Sequence, residues 1–527
     1  MYPNKCSIFR LIGVLVCSVR MLQPVFAADE SAISSNAAGP GESKKGDAAT
    51  LYREKLRPQF HFSTRRGWQN DPNGLVFYKG EYHLFYQHVP PVAHFPIGSN
   101  NTDLKTHWGH AVSRDLIHWK ELPIALYPDE HDDIFSGSAV IDWNNTSGFQ
   151  KSDEPPIVAI FTSAGKPFTQ GIAFSHDRGR TFTKYKANPV VPNIVGNDRD
   201  PKVFWYAPQK KWVMALYLDR SDPIVHPEMG ILERYEFFID KNSYRLFSSP
   251  DLKHWTKMSD LALKVDGECP ELFEISVDGD PKNTRWIFYG AKGRYLIGRF
   301  DGTSFTPESG PHEMQHGNAW YASQTFNDIP VADGRRILIP WARSLAGIVD
   351  QKEPLYKDMP FNQSMGIPVE LTLRTMEEGL RLFVNPVREL ASLRTKSYSL
   401  KSQTVRPGEN PAAGIKGELL DIEADISPAE AKEVVFNLRG VPVVYDAVKQ
   451  ELASADKKAP FRMQNGKIRL RFLIDRTSIE IFGNEGRLYM AMGVKVPSEN
   501  RSLQISAKNG AAVLNSLKAF ELKSIWN

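Results

Sequence analysis

Cysteine is nearly missing from this chain, which has three in 527 residues, at positions 6, 17 and 269. Cys6 and Cys17 fall in an N-terminal stretch with the form of an export signal. The processed chain would keep Cys269 alone, which excludes an intrachain disulfide and a cysteine zinc cluster. No activating base adjoins Cys269, so beside Glu268 and Pro270 it reads as a packing residue. Beyond the signal no run approaches the roughly 18 uninterrupted apolar residues of a membrane span, so no membrane partner is expected for the processed form. An excess of one charge is missing too. Lys and Arg number 65 against 61 Asp and Glu, a net +4 spread along the chain, which gives no footprint for nucleic acid. His94, His107 and His110 lack a helix-borne His-x-x-x-His with a third ligand, and the acidic run 129–133 lacks calcium-loop spacing. No metal is expected from these residues.

What the chain has is strands. Lys5 and Arg10, the apolar run 11–19 and the small-residue end Val25-Phe26-Ala27 make a secretory signal over 1–27, implying a secreted or periplasmic protein. Residues 28–50, rich in Ser, Ala, Gly and Lys, read as a disordered leader. From 51 to 375 short apolar and aromatic runs alternate with turn residues, as in Ile157-Val158-Ala159-Ile160-Phe161 and Trp286-Ile287-Phe288-Tyr289. A weak repeat runs through them: Ser113-Arg114-Asp115 before His118-Trp119, Ser175-His176-Asp177 before Thr181-Phe182, Ser249-Pro250-Asp251 before His254-Trp255, and Arg299-Phe300-Asp301 before Ser304-Phe305. The spacing suits four-stranded propeller blades, and these four units plus the opening stretch predict five. Residues 376–397 read as a linker and 398–527, with alternating runs such as Ser478-Ile479-Glu480-Ile481-Phe482, as a β-sandwich. The expected fold is all-β: a five-bladed β-propeller followed by a C-terminal β-sandwich.

Three carboxylates stand in constrained turns. Asp71 lies in Trp68-Gln69-Asn70-Asp71-Pro72-Asn73-Gly74, Asp200 in Asn197-Asp198-Arg199-Asp200-Pro201, and Glu268 in Asp266-Gly267-Glu268-Cys269-Pro270. Prolines and left-handed-tolerant Asn and Gly fix such turns at strand edges. Innermost propeller strands converge on one axis, so acids on separate blades can meet at its mouth. A carboxylate pair flanking a scissile bond is the equipment of glycoside hydrolysis. Glu268, in an aromatic-rich wall that would raise its pKa, suits the acid/base; Asp71, held ionised by nearby amides, suits the nucleophile. Asp200 pairs with Arg199, either as a binding carboxylate or as a structural ion pair. Trp320, Tyr321 and Trp341 are equally readable as sugar-stacking faces or as blade packing.

These stretches, with Phe85-Tyr86-Gln87, His107-Trp108-Gly109-His110-Ala111, Phe135-Ser136-Gly137-Ser138, Tyr321-Ala322-Ser323-Gln324 and Asp475-Arg476-Thr477-Ser478, run in an order that closely resembles glycoside hydrolase family 32, the β-fructofuranosidases. The resemblance implies a retaining mechanism on fructans or sucrose that requires no metal or organic cofactor, with Asp71 as nucleophile, Glu268 as acid/base and Asp200 as transition-state stabiliser. It implies that Asn70, Gln87, Phe135, Ser136 and Arg199 line the fructosyl pocket. Trp68, Tyr321 and Trp341 complete the candidate substrate contacts. In the long loop 88–106, Phe95 is the candidate for a wall that relatives build from tryptophan. A fructosyltransferase and a non-catalytic sugar-binding protein are the competing readings.

Overall fold

The computed structural model describes residues 51–91, 105–130, 132–219, 242–343 and 359–526. The stretches read as signal and leader, together with His94 and Phe95, lie outside them. Strands dominate the described residues, broken only by short 3-10 turns, and no helix there is long and apolar enough to cross a membrane.

Blade 1 is β1 (Gly67–Tyr78), β2 (Glu81–Val89), β3 (His107–Ser113) and β4 (Trp119–Leu126). Blade 2 is β5 (Asp133–Ile141), β6 (Ile157–Ala164), β7 (Phe168–Ser175) and β8 (Thr183–Lys184). Blade 3 is β9 (Arg199–Tyr206), β10 (Lys211–Leu218), β11 (Asn242–Ser249) and β12 (Thr256–Leu263), and blade 4 is β13 (Glu271–Val277), β14 (Asp280–Tyr289), β15 (Arg294–Phe300) and β16 (Phe305–Glu313). Blade 5 holds β17 (Tyr321–Thr325), β18 (Arg336–Trp341), β20 (Val369–Met376) and β21 (Gly379–Pro386), with the short β19 (Phe361–Asn362) between them in sequence. β19 pairs in parallel with the start of β1 and so ties the last blade back to the first. Strands sandwiched between blades are apolar on both faces, as in β6, where Ile157 to Phe161 are all buried; the outermost strands, such as β16, are largely exposed.

The Asp-centred repeat marks the turn from third to fourth strand. In blade 1, Asp115 Oδ1 accepts the Ile117 and His118 amides while Trp119 Nε1 donates to the Leu116 carbonyl; Asp251, Lys253, His254, Trp255 and Leu252 repeat the arrangement in blade 3. The count of five is right, but its assignment needs correction. The opening stretch and the Ser113 unit belong to one blade, and the blade without the repeat is the fifth, where β20 and β21 join through a tight hairpin with Met376 opposite Gly379. That hairpin also puts residues 379–386, inside the stretch read as linker, into the propeller.

Two sheets form the sandwich. One runs through Arg394–Leu400, Ala512–Leu522, Leu420–Ser427, Ile468–Ile474, Ser478–Gly483 and Leu488–Gly493, and the other through Lys457–Pro460, Glu451–Ser454, Val441–Asp446, Glu433–Leu438 and Leu503–Lys508. Ser478–Gly483 is buried throughout: Ile479 and Ile481 enter the sandwich core, while Phe482 joins the core shared with the propeller. Buried in that junction, His61 places Nδ1 2.8 Å from Asp475 Oδ2 and Nε2 3.2 Å from Glu480 Oε2. Asp475 also accepts the Gln59 and Phe60 amides, and Glu480 the Tyr489 hydroxyl.

Candidate active site

The first strand of each blade lines the axis, and the three acids cluster at the starts of three of them. Asp71 lies in the first half of β1, Asp200 is the second residue of β9, and Glu268 stands three residues ahead of β13. Below them the inner strands are laced together: Ser138 Oγ donates to the Pro201 carbonyl, Gln324 Nε2 to the Gly137 carbonyl, and Asn327 Nδ2 to the carbonyls of Ala139 and Val203. A pocket of about 280 Å³ opens above, lined by Asn70, Asp71, Gln87, Phe135, Arg199, Asp200, Glu268, Tyr321, Trp341 and Arg343.

Asp71 ends a chain of side-chain hydrogen bonds. Trp68 Nε1 donates to Asn70 Oδ1, Asn70 Nδ2 to Gln87 Oε1 and Asp71 Oδ1, Gln87 Nε2 to Ser136 Oγ, and Ser136 Oγ to Asp71 Oδ2 at 2.7 Å. Ser136 is thus a support behind Asp71, and Trp68 supports Asn70 and meets Trp341 edge-on. These donors do not outweigh desolvation. Burial, reinforced by the Glu268 charge, lifts Asp71 to about 6 against the pull of Ser136 and Asn70, so the carboxylate is fully ionised only above that pH. This corrects the sequence expectation, in which the amides prevail.

Arg199 keeps the expected ion pair with Asp200, but its hydrogen bonds go elsewhere. Its Nε donates to Glu268 Oε2 at 2.9 Å and its other arm to Asp219 Oδ2 at 2.9 Å, while Asp200 lies 3.9 Å away. Asp200 instead accepts the Cys269 amide at 3.0 Å, with the Cys269 thiol 3.4 Å from the same oxygen. Burial drives Asp200 upward, and the Glu268 and Asp71 charges add to this against Arg199. The wall that the sequence suggests for Glu268 is polar where it touches. Tyr321 donates its hydroxyl to Oε1 at 2.5 Å, and Arg199 holds the other oxygen.

Of the three aromatics left open, Tyr321 and Trp341 line the pocket, whereas Trp320 is 4% exposed and packs edge-on against Tyr489 of the sandwich. Burial and the surrounding carboxylates push the Cys269 thiol well up, so it is a neutral contact of Asp200. Asp219, Arg343 and the part played by Cys269 have no signal in the sequence, because each depends on which chain segment the funnel brings alongside. His110 stacks on Phe85 and reaches His83 at 3.1 Å, and His107 Nδ1 bonds the Lys105 carbonyl.

The profile of the Glycosyl hydrolases family 32 N-terminal domain matches residues 61–226 and 231–386, and that of the family 32 C-terminal domain matches 389–521. The chain belongs to glycosyl hydrolase family 32. It is a glycoside hydrolase of the β-fructofuranosidase class. This family 32 enzyme is 36% identical to a levanase of Bacillus subtilis, over 98% of its own length and 75% of the relative's. It is 30% identical to an extracellular exo-inulinase of Aspergillus niger, over 90% of its length and 96% of that protein's. A second levanase, from a Bacillus species, is 32% identical, and there the enzyme spans 53% of the relative. Among solved structures, exo-inulinase from Aspergillus awamori superposes with a TM-score of 0.75 at 26% identity, covering 90% of this chain and 100% of that one. A fructofuranosidase from Schwanniomyces occidentalis complexed with fructose gives 0.73 at 26%, over 90% and 99%.

Proposed function

We propose that this family 32 enzyme is a secreted retaining hydrolase that releases fructose from β-fructofuranosides: levan, inulin, fructo-oligosaccharides or sucrose. The observation that carries this reading is that Asp71, Asp200 and Glu268, from three different blades, line one pocket in which Tyr321 and Arg199 hydrogen-bond Glu268. In the first step Glu268 gives its proton to the bridging oxygen as the bond from that oxygen to C2 breaks, and Asp71 attacks C2 to form a fructosyl ester. In the second, Glu268, now a carboxylate, takes a proton from water, whose oxygen attacks C2 and frees Asp71. Asp200 accepts hydrogen bonds from sugar hydroxyls and stabilises the positive charge that develops on the ring.

Two further features support a polymeric substrate. One is the similarity to a levanase and an exo-inulinase. The other is a groove of about 800 Å³ between propeller and sandwich, which shares Tyr321 and Arg343 with the pocket and offers Asn318, Asp456 and Lys457 to a chain beyond the reacting sugar. Secretion follows from the signal read over residues 1–27. The test is product analysis on sucrose, levan and inulin, with Asp71→Asn and Glu268→Gln alongside. Free fructose from the parent and losses of at least about a thousandfold in both variants are expected, as for removal of a member of a catalytic pair. A parent inert on all three, or variants with full activity, would overturn the reading.

A further inference from the structure

Three residues at the acid cluster hold a left-handed backbone without being glycine: Asp200 at φ 65°, Cys269 at φ 54° and Ala322 at φ 46°. Each such conformation costs on the order of 1–3 kcal/mol and persists only where its surroundings over-determine it. All three serve the site. The Asp200 turn presents its carboxylate, the Cys269 turn aims an amide at that carboxylate, and the Ala322 amide bonds the Ala291 carbonyl, whose own amide bonds the carbonyl of Glu268.

Directly beneath lies a charged cluster with no part in the bond-making steps. Two residues after Asp200, Lys202 places Nζ 2.9 Å from Glu271 Oε1, 2.9 Å from the Thr325 carbonyl and 3.1 Å from Thr325 Oγ1. Two residues after Cys269, Glu271 accepts on its other oxygen the Thr325 hydroxyl at 2.5 Å and the Thr325 amide at 3.2 Å. Thr325 itself is three residues after Ala322. Lys202, Glu271 and Thr325 are each no more than 2% exposed. A cavity of about 10 Å³ is lined by Asp200, Cys269 and Ala322 from the upper layer and by Lys202 and Glu271 from the lower. The cluster therefore joins blades 3, 4 and 5 one step below each of the three strained residues.

Such a pair is a poor device for stability alone. Withdrawing two charges from water costs several kcal/mol each, and well-packed apolar residues often replace a buried pair without loss. What an apolar pair cannot supply is direction: the Lys202 ammonium and the Glu271 carboxylate fix three strands against one another through five hydrogen bonds and contacts of set geometry. We propose that Lys202, with Glu271 and Thr325, is a positioning residue that sets the spacing of Asp200, Glu268 and Tyr321 for the reaction. This rests on the roles given to those side chains above.

Two variants separate positioning from support. Lys202→Met/Glu271→Met replaces the pair with apolar side chains of similar length, and Thr325→Val removes one hydroxyl at nearly constant volume. The double variant is expected to unfold within a few degrees of the parent and yet to lose about a hundredfold in kcat on sucrose, as an ångström-scale displacement does, with KM changed by less than about threefold. Thr325→Val is expected to lose about tenfold, its pH–rate profile displaced, and Thr325→Ser to recover the parent's rate and profile. Parent-like kcat in either the folded double variant or Thr325→Val overturns the proposal, as does failure of Thr325→Ser to recover the rate lost in Thr325→Val. A parent inactive on sucrose and fructans would instead sink the functional reading, so the two failures are told apart.

Discussion

Ser136→Ala is the perturbation whose consequence the geometry states most sharply. The Ser136 hydroxyl donates to Asp71 Oδ2 at 2.7 Å and is itself oriented by Gln87 Nε2 at 2.5 Å. A hydrogen bond to a charged group contributes roughly 1.5–3 kcal/mol, and about 1.36 kcal/mol corresponds to one pKa unit. Removing it therefore raises Asp71 from about 6 by roughly one to two units, because Ser136 favours the ionised form. The nucleophile must be ionised to attack, so activity falls as pH drops through its pKa. The acid limb of kcat/KM on sucrose should move toward alkaline pH by the same one to two units. Near pH 5 the variant would run about ten to a hundredfold below the parent, and the gap would close as pH rises past both values. The assay is initial-rate fructose release from pH 4 to 9 with the fold checked by circular dichroism. A deficit of equal size at every pH, with the limb unmoved, would refute the claim that Ser136 sets the ionisation of Asp71.

Two more outcomes follow from named contacts. Asp200→Asn removes a like charge facing Asp71 and Glu268, so its acid limb should move to lower pH while kcat drops about a hundred- to a thousandfold, as when one preorganised electrostatic partner is lost; an unmoved limb counts against the coupling. His61, where burial pulls the pKa down but Glu480 and Asp475 together hold it up at about 9, contributes about 3 kcal/mol that is fully present below about pH 6.5 and is lost as pH rises through 9, so Tm of the parent should fall across that window while that of His61→Gln starts lower and stays flat.

The sequence carries the site better than it carries the site's bonding. Asp71, Asp200 and Glu268 stand out because turn chemistry is local: Pro72, Pro201 and Pro270 fix the bends wherever the blades go. The repeat is legible for the same reason, since Asp115 and Asp251 bond amides two and three residues on. Pairings across the funnel are not local, and there the reading is incomplete. Arg199 meets its sequence neighbour Asp200 as an ion pair but gives its hydrogen bonds to Glu268 and to Asp219, which enters from the end of β10 with no marking residue around it. Trp320 and Tyr321 are neighbours of similar chemistry. The strand that begins at Tyr321 sends one to the pocket and leaves the other against the sandwich, which no propensity distinguishes. Residues 379–386 read as linker because the fifth blade closes with a tight hairpin in place of the Asp-centred turn.

The two raised aspartates explain how one pocket holds three carboxylates and still favours the reaction over the bound sugar. Lifting Asp71 from an ordinary 3.8 to about 6 means that its ionised form sits about 3 kcal/mol above the same group in water, with burial the largest cause. A neutral sugar in the ground state supplies hydroxyls but no charge, and recovers little of that. In the proposed mechanism the ring that forms as the bond to C2 breaks is positive, and Asp71 and Asp200 are the carboxylates that face it. On that mechanism, stabilisation withheld from the empty and substrate-bound pocket would be delivered at the transition state, which is the condition for raising kcat and not merely lowering KM. Arg199 tempers the contrast only in part: its hydrogen bonds go to Glu268 and Asp219 at 2.9 Å each, and it meets Asp200 as a looser ion pair at 3.9 Å. A guanidinium hydrogen-bonded to Asp200 would neutralise it further in advance, and the arriving charge would find less to gain.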